Sequence, residues 1–156
     1  MEINLAGEAD IPALCRLLNE LFSQEVEFQP DDAAQSRGLA RIVVDPAVGH
    51  IFVARREGRI LGMVSLLYTV STALGERVAW LEDMVVAGDV RGSGVGSALL
   101  EHALAFAQQH GCRRITLLTD GDNLNAQRFY GRQGFEVSAM VPMRLMLFKR
   151  TSCAPG

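Results

Sequence analysis

Apolar residues first recur at helical spacing at Leu14, Leu17, Leu18 and Leu21, behind Asp10 and with Pro12 at the second helical position. A side-chain acceptor ahead of the run, and a proline where no N–H is required, predict a capped amphipathic helix. Pro30, Asp31 and Asp32 open a second helical pattern, with Leu39, Ile42 and Val43 on one face, that stops ahead of Asp45 and Pro46. The rhythm then changes to that of strands. Residues 51–54 and 60–68 flank Glu57 and Gly58, a hairpin signal, and a third strand is predicted over 78–86. A glycine-rich loop at 92–96 feeds a long helix with Val95, Leu99, Ala103 and Phe106 on one stripe, ended by His110 and Gly111. A strand over 114–119, a short helix over 125–133 closed by Gly134, and two last strands over 135–137 and 143–148 complete the pattern. This order predicts a mixed α/β fold whose early strands are antiparallel, with one parallel crossover through the long helix.

Composition narrows the class. The chain has 156 residues, 49% hydrophobic and 21% charged, which is globular composition with length enough for a core. No repeat or composition break appears, so the reading is one domain over residues 1–150 with a frayed tail at 151–156. A net charge of −3 argues against a nucleic-acid binder, and the pairs Arg55–Arg56 and Arg113–Arg114 read as solvated strand ends or loops. Cys15, Cys112 and Cys153 lack metal or disulfide spacing. His50, His102 and His110 lack ligand spacing too, and solvated or capping roles are expected. With no leader pattern and only strand-length apolar runs, the expectation is a cytosolic protein without metal and without membrane association.

The segment Met84-Val85-Val86-Ala87-Gly88-Asp89-Val90-Arg91-Gly92-Ser93-Gly94-Val95-Gly96 carries the most chemical information. Glycines on alternate positions strip side chains from a strand-to-helix turn, so backbone N–H groups can converge on an anion at the positive end of a helix. Arg91 adds a full charge, and the same residues could instead make a close-packed turn. A Walker loop would require Gly-Lys-Ser/Thr, which is missing. A dinucleotide fingerprint would place the third glycine one residue later, and too few residues follow Asp120 for the remaining units of a doubly wound sheet.

Arg-Gly-x-Gly-Val-Gly after a Met-Val-Val strand resembles the acetyl-coenzyme A motif of the GNAT acetyltransferase superfamily. Downstream, the run from Asn123 through Phe129, Tyr130, Gly134 and Phe135 resembles that family's Asn-x-x-Ala-x-x-Phe-Tyr-x-x-x-Gly-Phe signature. The resemblance implies the GNAT-like acyl-CoA N-acyltransferase fold, a central mixed, mostly antiparallel sheet flanked by helices. It further implies that the amides of Arg91, Gly92, Ser93, Gly94, Val95, Gly96 and Ser97 bind the coenzyme pyrophosphate. Main-chain groups of Met84, Val85 and Val86 would hold the pantetheine arm, at a bulge that splays this strand from its parallel neighbour. An amide near Val85 would polarise the thioester carbonyl. Asn123 would bond the arm or cap its helix, and Arg128 would lie near the adenosine phosphates.

Acetyl transfer to an amine calls for a proton acceptor and, for the leaving thiolate, a donor. Leu-Glu-Asp resembles polyamine-type members. Strand alternation would send Glu82 and Asp83 to opposite faces, and Glu82 is the favoured base. Tyr130 is the candidate acid. Neither Cys15 nor Cys112 stands beside a base, so direct attack by a small-molecule primary amine in a ternary complex is expected. Glu25, Glu27, Asp31 and Asp32, with Phe22 and Phe28, could form the acceptor site or an ordinary helix start and core. A non-catalytic acyl-CoA sensor is the alternative, a dinucleotide-binding domain a weaker one. The Met- and Leu-rich stretch 140–148 could pair across a homodimer axis.

Overall fold

The computed structural model describes residues 1–24 and 30–148. Contacts group the chain into two compact units, Met1–Leu118 and Thr119–Gly156.

The first unit holds β1 (Glu2–Leu5), α1 (Ile11–Gln24), α2 (Asp32–Val43), β2 (Gly49–Arg56), β3 (Arg59–Ser71), β4 (Glu76–Val86), α3 (Val95–Gln109) and β5 (Ile115–Leu117). They form one sheet in the order β1-β2-β3-β4-β5. Every pair is antiparallel except β4–β5, which α3 connects as the expected parallel crossover. Strand β1 escapes the sequence pattern because three of its four residues are exposed, leaving no apolar alternation to read. Its ladder to β2, from Glu2 opposite Arg55 to Leu5 opposite Phe52, is what makes it a strand.

Two local expectations change. Asp10 does not cap α1; it sits in a short 3₁₀ turn, where its carboxylate accepts from the Gly7 N–H at 2.8 Å and from both terminal nitrogens of Arg55 at 2.8 and 2.5 Å. Arg55 is therefore a fastener between β2 and the start of α1 and not a solvated strand end, and its guanidinium holds the Asp10 carboxyl below the usual range. The second helix starts as expected. Asp31 accepts from the Ala34 N–H at 3.1 Å, and Gln35 returns a bond to the Asp31 N–H at 2.7 Å, a reciprocal cap.

The core divides by strand parity. Ile51, Val53, Met63 and Val85 face α1 and α2, where Leu14, Leu17, Leu18 and Leu39 pack with them. Phe52 and Gly62 face α3; a Cβ on Gly62 would come within 3.0 Å of Leu99. At the far end of this face His50 is neither solvated nor a cap. Its Nδ1 lies 2.6 Å from the Tyr68 hydroxyl, its ring meets Phe106 edge-on, and His110 stacks on Phe106. Burial, then His110 and Arg77, lowers the His50 pKa, so the folded state favours the neutral ring, hydrogen-bonded to Tyr68. The unfolded chain then binds a proton more readily. Stability is complete above about pH 6.5 and is lost as pH falls below it, towards the folded-state value. Melting temperature should fall more steeply on acidification in the wild type than in His50→Gln; parallel curves would remove this role.

The second unit contains α4 (Leu124–Arg132). Gly134, at φ +101, takes the left-handed step that ends it, and the Tyr130 carbonyl accepts from the Gln133 and Phe135 N–H groups. The last two expected strands are not strands. Residues 135–148 carry no ladder, and Val137, Met140, Val141, Met143, Leu145, Met146, Leu147 and Phe148 are 69–94% exposed. A strand exists only through its partners; apolar composition marks a segment for cover without supplying the neighbour.

Candidate active site at the β4–α3 turn

The register of β4 builds the site. Leu66 faces Leu81 and Val64 faces Met84, so Glu82 and Asp83 together oppose the single residue Ser65. The buried Ser65 hydroxyl accepts the Asp83 N–H at 3.1 Å and pins this bulge. Alternation therefore fails here. Counting from Val85 upstream and from Trp80 downstream, Glu82 and Asp83 both fall on the α1/α2 face, which corrects the expectation of opposite faces. Glu82 is exposed and Asp83 half-buried.

On its other edge β4 pairs with β5 only from Ala79 to Leu81. The pairing stops at Leu81 because β5 itself ends at Leu117. The Ala87 N–H bonds to the Leu61 carbonyl at 2.8 Å, so antiparallel alternation commits Val85 to β3 as well and turns the backbone groups of Met84 and Val86 to the open side. The Val86 carbonyl indeed accepts Arg91 Nε at 3.2 Å. Among these three residues the amides not committed to β3 are those of Met84 and Val86.

The turn itself is glycine-dependent for conformational reasons. Gly92 and Gly94 have φ of +79 and +90, and a Cβ on either would meet nothing within 4 Å. Open space lies where those side chains would be, which excludes close packing as the reason for glycine. Ser93 donates both its N–H and its hydroxyl back to the Val90 carbonyl. Gly94 is the N-cap of α3 without a side-chain bond, so the first-turn amides of Val95, Gly96 and Ser97 have no capping acceptor. Arg59 clasps Asp89 at 2.8 and 2.6 Å just ahead of the turn. Arg91 lies 3.8 Å from the Glu20 carboxylate, beside a cavity of about 510 Å³ lined by Asn19, Glu20, Ser23, Gly88 and Arg91.

In the second unit, Asn123 caps α4 by accepting from the Ala126 N–H at 3.1 Å. Arg128 donates to the Asn125 side chain. Tyr130 is partly buried, edge-on to Phe129 and Phe135, and burial pushes its phenol up to about 12, so it stays protonated at neutral pH.

The sequence profile described as "Acetyltransferase (GNAT) family" matches residues 11–135, most of the chain. The chain belongs to the GNAT acetyltransferase family. An aminoalkylphosphonate N-acetyltransferase of Salmonella typhimurium is 31% identical over 137 residues, covering 88% of this chain and 86% of that one. An uncharacterized N-acetyltransferase of Bacillus subtilis, YhfO, is 28% identical over 87% of this chain and 90% of its own. The crystal structure of a probable acetyltransferase superposes with a TM-score of 0.81 at 25% identity, over 96% of this chain and 100% of that one. The fold is therefore the mostly antiparallel α/β arrangement that the resemblance implied, and a doubly wound dinucleotide site is ruled out by the sheet topology.

Within this acetyltransferase the first unit brings together Glu82, Met84, Val86 and the 91–97 turn. Asn123, Arg128 and Tyr130 belong to the second unit, and Glu25, Glu27 and Phe28 lie outside the described residues. Sequence reasoning missed Ser65, which has no motif of its own, and Trp80. The latter stands two residues before Glu82, a spacing that could have drawn attention to it.

Proposed function

We propose that this acetyltransferase takes its acyl group from acetyl-CoA and delivers it to the primary amine of a small molecule, by direct attack while both are bound. The observation that carries this is the pairing of two open main-chain surfaces: the free edge of β4 beyond Leu81 and the uncapped first turn of α3. An extended amide-bearing arm fits the first and a diphosphate fits the second. GNAT enzymes draw on acyl-CoA donors, and the thioester supplies the activated acyl group.

The chain's own residues do the rest. Amides of Gly92, Gly94, Val95, Gly96 and Ser97 receive the diphosphate in the positive field of α3, with Arg91 swinging from Val86 and Glu20 to join them. Met84 and Val86 hold the arm and polarise the acyl carbonyl. Glu82 accepts the amine proton, and Tyr130 donates one to the departing thiolate. The thiol of Cys112 is pushed up by burial, a poor nucleophile, and Cys15 is buried against Ser36, which supports direct transfer over a covalent relay. A cytosolic setting is part of this proposal. The Salmonella relative acts on an amino compound, which agrees with a small amine acceptor here.

The test is a thermal shift with acetyl-CoA followed by thiol release across amines. Saturating ligand, at about 100 times its dissociation constant, should add about 2.7 kcal/mol. No shift, or hydrolysis indifferent to any amine, would sink the proposal.

A further inference from the structure

Trp80 is out of place for a core residue. It lies in β4, an interior strand, where its neighbours Val78, Ala79 and Leu81 are 1–4% exposed, yet it is 39% exposed itself. Its register partners are Leu67 on β3 and Thr116 on β5, so the indole stands in the middle of a three-strand row on the α1/α2 face. The helices cover the neighbouring parts of that face, around Ile51, Val53, Met63 and Val85, while in this row Trp80 stays exposed between the half-buried Leu67 and Thr116. A large aromatic in such a position forgoes the burial that its strand offers its neighbours.

The bulge decides what the row is next to. Because Glu82 shares the face of Trp80, the exposed indole is followed along the strand by an exposed carboxylate and then by the backbone edge of Met84 and Val86. Arg77, the nearest cation along β4, is on the other face, its guanidinium 4.8 Å over the Tyr68 ring. An electron-rich aromatic face beside negative charge is suited to a cation with an apolar body, and unsuited to an anion.

We propose that Trp80 is the acceptor platform: a protonated primary alkylamine rests on its indole face, with its ammonium group directed at Glu82. This rests on the acyl-transfer reading and deepens it, because it assigns the acceptor to cationic alkylamines and fixes the side of the sheet from which they approach. The role of Trp80 is binding; the proton is surrendered to Glu82.

Trp80 is the single tryptophan of the chain, so its emission reports the site without a label. Protein loaded with coenzyme A, which cannot turn over, is titrated with butylamine and putrescine, and with butanol as the uncharged counterpart. A saturable emission change with the amines and none with butanol is expected. Trp80→Leu should raise KM for each amine that is acetylated by about ten-fold with kcat nearly unchanged, and Trp80→Phe should restore most of the loss. Affinity for coenzyme A should be the same in all three proteins. Amines that are acetylated while Trp80 emission stays still, or a KM indifferent to Trp80→Leu, would overturn the platform and leave acyl transfer standing. Failure of the wild type to bind coenzyme A would remove both.

Discussion

Replacing Gly94 with valine is expected to remove most of the affinity for acetyl-CoA while leaving a folded protein. Gly94 holds φ at +90 with empty space where a Cβ would go. An L-residue pays about 1–2 kcal/mol in the left-handed region, and a β-branched one is worse placed still. The loop can shed that strain by turning its peptides, which re-aims the N–H groups around the first turn of α3. Both effects fall on the ligand: either the loop keeps its shape with an isopropyl group in the anion's space, or it loses the donors. Since each 1.4 kcal/mol is ten-fold in binding, a loss of about a hundred-fold is expected by calorimetric titration. Gly38→Ala is the control. It lies in α2, also with nothing within 4 Å, but at no positive φ, so it should bind normally and melt no lower. Wild-type affinity in Gly94→Val would refute the anion site.

The parts legible in the sequence are those whose cause is local. The stripe of Leu14, Leu17, Leu18 and Leu21, the helix start at Pro30, Asp31 and Asp32 and the stop at Gly134 each depend on a few consecutive residues, and each element stands near its expected place. The glycine turn was legible for the same reason, since positive φ and the absence of side chains are properties of the residues themselves. What was not legible depends on partners distant in sequence. The bulge arises because Ser65 on β3 meets two residues of β4, and nothing in Leu-Glu-Asp announces that. Asp10 reads as a cap until Arg55 arrives from β2 to claim it. The stretch 143–148 reads as a strand because its composition is apolar, whereas the structure gives it no ladder. The error over Glu82 and Asp83 has the same origin: alternation is a rule for paired strands, and the pairing is broken there.

That broken pairing sets the expected behaviour of the acid–base residues. An alkylamine of pKa near 10.4 is almost wholly protonated at neutral pH, so without an acceptor only about one molecule in a few thousand could attack. Glu82→Gln should therefore lower kcat/KM about a hundred-fold at neutral pH, with the deficit shrinking as pH rises towards the amine's own pKa. Asp83→Asn should do less, because its backbone is fixed by Ser65 and its side chain is half-buried, while Glu82 is exposed at the crest of the bulge. The two share a face, so the double variant should lose more than Glu82→Gln alone; equal losses would exclude Asp83 as a substitute base. Tyr130→Phe supplies the contrast. With its phenol raised to about 12 by burial, Tyr130 remains a donor across the working range, and its loss should lower kcat by a factor that alkaline pH does not restore. A wild-type rate at neutral pH in Glu82→Gln, with chemistry limiting, would leave the amine to shed its proton to solvent before binding. The carboxylates would then serve only to draw the cation to the sheet.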